Sequence, residues 1–312
     1  MAEGVLPAQR TRLRHRFALD LASLACRLPA QPIAQPVEAM GLQFQTPVGI
    51  AAGFDRLGRL GRRASTLGFG FTEIGSLTAA DLPLLAAPRL GAAQLGVNLT
   101  LDAGHAIAQT CALLQGAWPW ADYLLLNLIG PACAPLLAQP GRLQTRLAAL
   151  RDHHRHLNCA YGRQVPLVAK LRCLPGDLPL ALVDRLLGLG FDGLLLAHDP
   201  GPPATRQRYL AWQDERVQAQ ACAQVAQLHR RCGPNAVLMS VGGIQTADHL
   251  RERRAAGAQL VQVHAALLQQ GPWLARRLLG REPKVRFGRG RKPSRAKALP
   301  ATTACAQTKR AG

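Results

Sequence analysis

Eight short apolar runs constrain the fold of this chain more than any other feature of its sequence. Each is rich in valine, isoleucine or leucine and ends in glycine, asparagine or another polar residue, which is typical of buried β-strands. The runs cover residues 47–54, 71–77, 92–99, 123–129, 166–171, 193–197, 236–243 and 260–266. We therefore predict a sheet of eight strands.

Most stretches between these runs carry helical patterns. Residues 179–187, for example, repeat leucine and valine at helical spacing, and Gly188 follows as a helix-end signal. Near-continuous apolar strands that alternate with helices are typical of a parallel sheet whose outer surface is covered. We predict an α/β fold, a (β/α)8 TIM barrel over residues 36–280, and the strand count favours it over an open doubly wound sheet.

Residues 1–35 contain a helical pattern with a basic start, because four arginines fall between residues 10 and 16. The apolar positions of this pattern are Leu13, Phe17, Leu21, Leu24 and Leu28. A helix with one apolar face and a basic end either packs on the protein or lies on an anionic membrane surface. We predict a short amphipathic helix that caps the bottom of the barrel or associates peripherally with a membrane.

About +9 of the net charge of +20 belongs to residues 281–312, which contain ten Lys or Arg and one Glu. This segment is rich in Gly and Pro and has one aromatic residue, so we expect a disordered basic tail. Without interleaved aromatics for base stacking, we do not expect it to bind nucleic acid.

The composition also argues against several protein classes. No apolar stretch reaches about eighteen uninterrupted residues, and the N-terminus lacks the pattern of a signal peptide. The eight cysteines include no Cys-x-x-Cys pair, which argues against structural zinc or a disulfide scaffold. His153, His154, His156 and Cys159 lie on a predicted outer helix, where we interpret them as a polar face and not as metal ligands. We expect a cytoplasmic protein.

In a (β/α)8 barrel the working residues lie where strands end, so the polar residues at those ends form the candidate site. They are Gly53-Phe54-Asp55-Arg56, Gly75-Ser76, Asn98, Asn127, Lys170, His198-Asp199, Gly242-Gly243 and His264. The Gly242-Gly243 turn follows the seventh strand, where such barrels bind phosphate through backbone N–H groups, although a tight strand-to-helix turn also explains two glycines. Lys170 ends an apolar strand and needs an anionic partner, either a bound group or an internal acid.

Several blocks of the sequence, in chain order, resemble class 2, quinone-dependent dihydroorotate dehydrogenases. The most specific is Pro-Val-Gly-Ile-Ala-Ala-Gly-Phe-Asp at residues 47–55, preceded by Pro-Val-Glu-Ala-Met-Gly. Further blocks lie at residues 67–71, 73–75, 96–98, 122–123, 168–170, 241–244 and 256–262. The resemblance covers roughly residues 10–280.

The resemblance implies a flavin mononucleotide (FMN) cofactor. The matching cofactor positions are Ala52, Gly53, Ser76, Asn98, Asn127, Lys170, Gly243, His264 and Ala265. It further implies oxidation of dihydroorotate to orotate in pyrimidine biosynthesis. Quinone would reoxidise the flavin through the N-terminal helix, which would place the protein peripherally on the inner face of the cell membrane.

The substrate half of the site departs from the family pattern. Arg56, Asn127 and His198 are the candidate substrate residues, but Arg56 replaces the family's lysine and His198 stands where the family has asparagine. The family's Asn-Arg-Met-Gly-Phe segment is missing. The serine that acts as the family's base is Gly130 here, and Cys133 is the nearest substitute.

Two alternatives to this enzyme therefore stay open. One is a divergent paralogue that binds FMN but lacks the base and does not oxidise dihydroorotate. The other is an interaction protein whose barrel is a scaffold and whose basic termini bind lipid or nucleic acid.

Overall fold

Ten β-strands are present in the computed structural model of the chain, which describes residues 5–29, 33–87, 90–198 and 204–280. In chain order they are β1 (Val37–Ala39), β2 (Leu42–Phe44), β3 (Val48–Ile50), β4 (Phe71–Leu77), β5 (Gln94–Thr100), β6 (Tyr123–Asn127), β7 (Leu167–Arg172), β8 (Gly193–Ala197), β9 (Val237–Val241) and β10 (Leu260–Val263). Strands β3–β10 form a closed parallel barrel. This confirms the predicted (β/α)8 barrel and its eight strands, and the open sheet is wrong.

The barrel closes where its last strand pairs with its first. Val261 is in register with Val48, and Val263 with Ile50. Nearly every residue of the barrel strands is buried, because side chains on one face fill the interior and those on the other face pack under helices. The apolar runs predicted from the sequence extend past several strand ends, since apolar residues continue into the loops at the carboxyl ends of the strands.

Ten α-helices surround the barrel or lie across its ends in the described residues. They are α1 (Val5–Ala25), α2 (Ile107–Ala117), α3 (Ala134–Leu137), α4 (Pro140–Tyr161), α5 (Leu180–Gly188), α6 (Arg206–Ala211), α7 (Glu215–Cys232), α8 (Ala247–Ala255), α9 (Ala265–Gln270) and α10 (Leu274–Leu278). Short 3-10 helices occupy Gly61–Leu67, Ala79–Leu84, Trp118–Trp120, Pro131–Cys133 and Gly233–Asn235. None of the described helices combines the length and apolarity needed to cross a bilayer.

The antiparallel hairpin β1–β2 closes the amino end of the barrel. Phe44 at the end of β2 is fully buried and meets the ring of Phe71 edge-on, with ring centroids 5.5 Å apart. Phe71 and Tyr123, which Phe44 also approaches, are the first residues of β4 and β6. The sequence pattern does not predict this hairpin, because its strands are only three residues long.

Helix α1 lies at the opposite, carboxyl end of the barrel. The ring of His15 lies 5.5 Å from that of Phe54 and 6.1 Å from that of His264, and these two residues follow β3 and β10. The expectation that the N-terminal helix caps the bottom of the barrel is therefore wrong. Ala22 and Ala25 pack on the barrel because their small side chains allow close approach, while the predicted leucine and phenylalanine stripe faces outward.

Candidate functional site

A cavity of about 590 Å³ opens at the carboxyl ends of the barrel strands. Its volume is that of a site for a ligand the size of a cofactor. Six of the nine predicted cofactor residues line it: Ala52, Gly53, Lys170, Gly243, His264 and Ala265. The barrel therefore brings together residues that lie more than two hundred positions apart in the sequence.

Gly242 and Gly243 form the turn that ends β9, with φ angles of +114° and +80°. Only glycine adopts such angles without strain. A Cβ atom on Gly243 would lie 2.1 Å from Cε3 of Trp212, so the indole packs directly against the turn. Among the hydrogen bonds of the described residues, the N–H groups of Gly243 and Ile244 have no acceptor. Unpaired N–H groups beside a cavity suit an anion such as phosphate.

The other three predicted cofactor residues form a hydrogen-bonded cluster next to the cavity. Asn127 Nδ2 donates to Ser76 Oγ at 2.8 Å, and Ser76 Oγ donates to Asn98 Oδ1 at 2.7 Å. Asn127 is in register with Lys170, which lines the cavity. The Asn98 side chain is fully buried and also hydrogen-bonds Glu73, and an amide of this kind can donate to the edge of a bound heteroaromatic ring.

Lys170 has an internal acid close by. Glu73, from β4, is fully buried in the barrel interior, where burial raises its pKa and the Lys170 cation opposes that shift. The carboxylate also accepts hydrogen bonds from Tyr123 Oη at 3.1 Å and from the Gln262 amide. The sequence left two partners open for Lys170, an internal acid and a bound anionic group. Lys170 lies close to the acid Glu73 and also lines the cavity in which an anionic group would bind.

His264 directly follows β10 and is half-buried beside the cavity. Burial, with His15 and Lys170 nearby, lowers the pKa of His264 to about 4. The imidazole is therefore neutral at physiological pH and can accept or donate one hydrogen bond without carrying charge.

The cavity lining also includes residues outside the predicted site, and the largest of them are Arg12, His15, Tyr209 and Trp212. Arg12 and His15 come from helix α1 and lie on the side opposite its apolar stripe. Their three-residue spacing on a predicted helix was a usable signal, because such residues share a face. Tyr209 lies on α6 and Trp212 directly follows this helix. With only six residues, α6 was not predicted from the sequence.

None of the three predicted substrate residues lines the cavity, although Asn127 lies next to it. Arg56 forms a bidentate ion pair with Asp81, at 2.9 and 2.7 Å. His198 is buried, and its Nδ1 lies 2.9 Å from Gln224 Oε1. Burial, and to a smaller extent the positive charge of Arg253, lowers the pKa of His198 to about 3. His198 is therefore neutral and acts as a packing residue. Asp199, its neighbour in the predicted site, lies outside the described residues.

No strong base stands at the loop after β6. Gly130 has φ of −68°, and a Cβ atom built on it would meet only Asn127 Nδ2, at 3.7 Å. Cys133 is fully buried in the apolar core, and burial raises the pKa of its thiol to about 11. A thiol with this pKa stays protonated at neutral pH and does not replace a base.

The histidines that we interpreted as a polar face lie on α4, and one of them is buried instead. His154 is buried and its Nε2 lies 2.6 Å from the Val165 carbonyl, while burial lowers its pKa to about 4. Within the described ranges, no group of three or more His, Cys, Asp or Glu side chains is arranged to hold a metal ion.

Comparisons with known proteins agree with this architecture. A family model described as dihydroorotate dehydrogenase matches residues 214–282. The quinone-dependent dihydroorotate dehydrogenase of Chromobacterium violaceum is 30% identical over 311 residues, covering 83% of this chain and 90% of that protein. That of Burkholderia multivorans is 30% identical over 312 residues, covering 86% and 90%. A crystal structure of DHODH from Eimeria tenella with ferulenol superposes with a TM-score of 0.68 at 23% identity, covering 86% of this chain and 89% of the other.

Proposed function

The chain belongs to the quinone-dependent dihydroorotate dehydrogenase family, and we propose that it binds FMN and oxidises dihydroorotate to orotate in pyrimidine biosynthesis. The cavity at the carboxyl ends of the strands carries this proposal. It is lined by the Lys170 cation and by the Gly242-Gly243 turn, where the N–H groups of Gly243 and Ile244 have no acceptor among the described residues, and the amide cluster of Asn98 and Asn127 lies next to it. This set matches a ligand with a phosphate at one end and a heteroaromatic ring at the other.

FMN, when bound, supplies a ring that accepts two electrons. In our proposal the N–H groups of Gly243 and Ile244 hold its phosphate. Asn98 and Asn127 bind and orient the polar edge of the ring, and Lys170 stabilises negative charge there. His264, neutral and half-buried, packs beside the cofactor and helps to exclude water.

A second groove of about 300 Å³ between α1 and α9 gives an acceptor access to this site. It is lined by apolar residues that include Phe17, Ala18, Phe54 and Pro272, and Leu268 lines both this groove and the main cavity. An apolar groove that adjoins the cofactor cavity fits a quinone, which is itself apolar. We propose quinone as the electron acceptor.

The outward face of α1 supports peripheral membrane association. Leu13 is 66% exposed and Phe17 is 69% exposed, and Leu24 and Leu28 are also exposed. Arginines flank this stripe, which suits an anionic lipid surface. We propose that α1 docks on the inner face of the cell membrane, where quinone is dissolved.

We expect the double variant Phe17→Ser, Leu24→Ser to bind vesicles of phosphatidylcholine and phosphatidylglycerol at least about tenfold more weakly than the unaltered chain, because each substitution removes a large apolar side chain that the lipid would bury. Cosedimentation measures this. The matched control is Leu84→Ser, Leu90→Ser, which changes two exposed leucines outside α1. Equal loss in both double variants, or no loss in either, would contradict membrane docking through α1.

A second candidate function rests on the loop after β6. Gly130 cannot take a proton, and neither Cys133 nor His198 is available, since both are buried and have pKa values far from neutrality. A divergent member that holds FMN without oxidising dihydroorotate is therefore the second candidate.

The absorption spectrum of the purified protein distinguishes these functions. A yellow protein whose flavin absorption is bleached anaerobically by dihydroorotate would support the dehydrogenase. A yellow protein that dihydroorotate does not bleach would support the divergent member. A colourless protein that added FMN does not reconstitute would contradict both.

Gly130→Ser tests the role of the missing base. The backbone angle suits any residue and the site has room for a side chain. If proton removal limits the reaction, we expect dihydroorotate to bleach the flavin of the variant at least about tenfold faster than that of the unaltered chain. This gain is smaller than the full rate enhancement that a well-positioned base provides. Stopped-flow absorbance measures the rate. Gly130→Ala is the control, because it adds the Cβ without the hydroxyl, and an equal gain in both variants would contradict a role for the base.

A further inference from the structure

Arg253, on α8, is a fully buried cation that has no carboxylate partner among the described residues, and the Cys222 thiol is the titratable group beside its guanidinium. The exposed fraction of Arg253 is 0%, and no carboxylate of the described residues forms an ion pair with it. Its Nε is also buried without a hydrogen-bond partner among those residues. A buried charge is costly unless it is paired with an opposite charge. The described part of the protein supplies no carboxylate for this guanidinium, so its counter-charge has to come from elsewhere.

The guanidinium is tied to the turn that ends β9. Nη1 donates to Ser240 Oγ at 2.8 Å and to the Gly242 carbonyl at 3.3 Å. Nη2 donates to Gln218 Oε1 at 3.1 Å, and Gln218 Nε2 donates to the Gly243 carbonyl at 2.7 Å. Arg253 and Gln218 thus bind the carbonyls of both glycines.

These bonds also fix the direction of the neighbouring N–H groups. In a planar trans peptide the N–H points away from the carbonyl of the same peptide unit. Because the Gly242 and Gly243 carbonyls point toward α7 and α8, the N–H groups of Gly243 and Ile244 point to the other side. Both residues line the cavity there, and both N–H groups lack an acceptor among the described residues.

We propose that Arg253 is a positioning residue that provides the buried counter-charge for the cofactor phosphate and makes the site select FMN over riboflavin, the same flavin without its phosphate. The inference rests on the proposed flavin site and goes beyond it, because Arg253 does not line the cavity. It acts through the turn, by orienting the N–H groups, and through the positive potential that it adds beneath them. His198 lies nearby and stays neutral, so it does not duplicate this charge.

The first experiment compares two flavins on the apoprotein of Arg253→Gln. Flavin fluorescence gives the dissociation constants of FMN and riboflavin. One unit charge near a partly buried anion changes affinity by about tenfold to a hundredfold. We therefore expect the FMN dissociation constant to rise at least about tenfold and that of riboflavin to change less than about threefold.

Arg146→Gln is the matched control. Arg146 is also buried, at 4% exposure, and donates to backbone carbonyls, including that of Asp102 at 2.6 Å, but it does not line or support the cavity. Its loss should leave the ratio of the two dissociation constants unchanged. Arg253→Lys, which keeps the charge, should retain most of the preference for FMN.

A second pair of variants tests the charge while keeping Arg253. Ser240→Asp places a carboxylate where the guanidinium now donates to a hydroxyl, and Ser240→Asn is its uncharged isostere. We expect FMN to bind Ser240→Asp at least about tenfold more weakly than Ser240→Asn, with equal riboflavin affinities. This pair decides the question if Arg253→Gln does not fold.

The outcomes separate the inference from the proposed function. Equal losses of FMN and riboflavin affinity in Arg253→Gln, or equal FMN affinities in the Ser240 pair, would overturn the role of Arg253 while leaving the flavin site intact. An unaltered chain that prefers FMN to riboflavin by less than about threefold would also overturn it. An unaltered chain that binds neither flavin would overturn the flavin site, and the inference with it.

Discussion

Replacing Gly243 with alanine is expected to leave a folded protein that does not retain flavin. The residue has φ of +80°, where a side chain costs about 1–2 kcal/mol, and its Cβ would lie 2.1 Å from Trp212, which adds about 1–3 kcal/mol of overpacking. The turn would have to move, and its N–H groups would lose their direction. We expect FMN affinity to fall at least about a hundredfold, measured by fluorescence titration of the apoprotein.

Gly41→Ala is the control for the backbone strain alone. Gly41 connects β1 and β2, has φ of +72°, and a Cβ atom added to it would meet no other atom within 4 Å. The substitution should cost stability without changing flavin affinity. The double variant Gly243→Ala, Trp212→Ala relieves the clash and should recover part of the lost affinity. Retention of one flavin per chain by Gly243→Ala would contradict a direct role for this turn.

Replacing Lys170 with methionine is expected to destabilise the protein by about 3–5 kcal/mol, because it removes the cation that stabilises the buried Glu73 carboxylate. The loss should depend on pH. Burial raises the pKa of Glu73, so the folded state binds a proton more tightly than the unfolded state, and stability falls as pH rises through the folded pKa. Without Lys170 this pKa rises further, and the deficit should be larger at pH 8 than at pH 5.

Urea unfolding of the apoprotein at both pH values measures this effect. The double variant Lys170→Met, Glu73→Gln removes both charges and keeps the side chain that Tyr123 and Gln262 contact, so it should recover most of the stability and lose the pH dependence. It should still bind FMN weakly, since Lys170 also lines the cavity. A deficit that is the same at pH 5 and pH 8 would contradict the coupling between Lys170 and Glu73.

The barrel was predictable because its signal is local. Runs such as 71–77 and 193–197 match β4 and β8 at both ends, since a buried parallel strand is apolar along its whole length. The β1–β2 hairpin and helix α6 were missed because three strand residues or six helix residues are too few for a periodic pattern. The side of the barrel on which α1 packs depends on its contacts with Phe54 and His264, which no local pattern contains.

The candidate site was predictable to the extent that it lies at strand ends. Lys170, Gly243 and His264 line the cavity because every parallel strand of a barrel points its carboxyl end to the same side. Arg56 does not, because Asp81 binds its side chain, and this pairing follows from tertiary structure. Arg253 could not have been found, because a buried arginine on an outer helix resembles a surface residue in the sequence.

The pairing of β10 with β3 has a consequence for synthesis of the chain. Val48 and Val261 are partners 213 positions apart, so at 5–20 residues per second the first strand waits about 10–40 s on the ribosome for its neighbour. During that interval the edge of β3 is unpaired and able to associate with other nascent chains. The cofactor cavity is made from residues after both strands, and flavin can therefore be captured only once nearly the whole barrel has been translated.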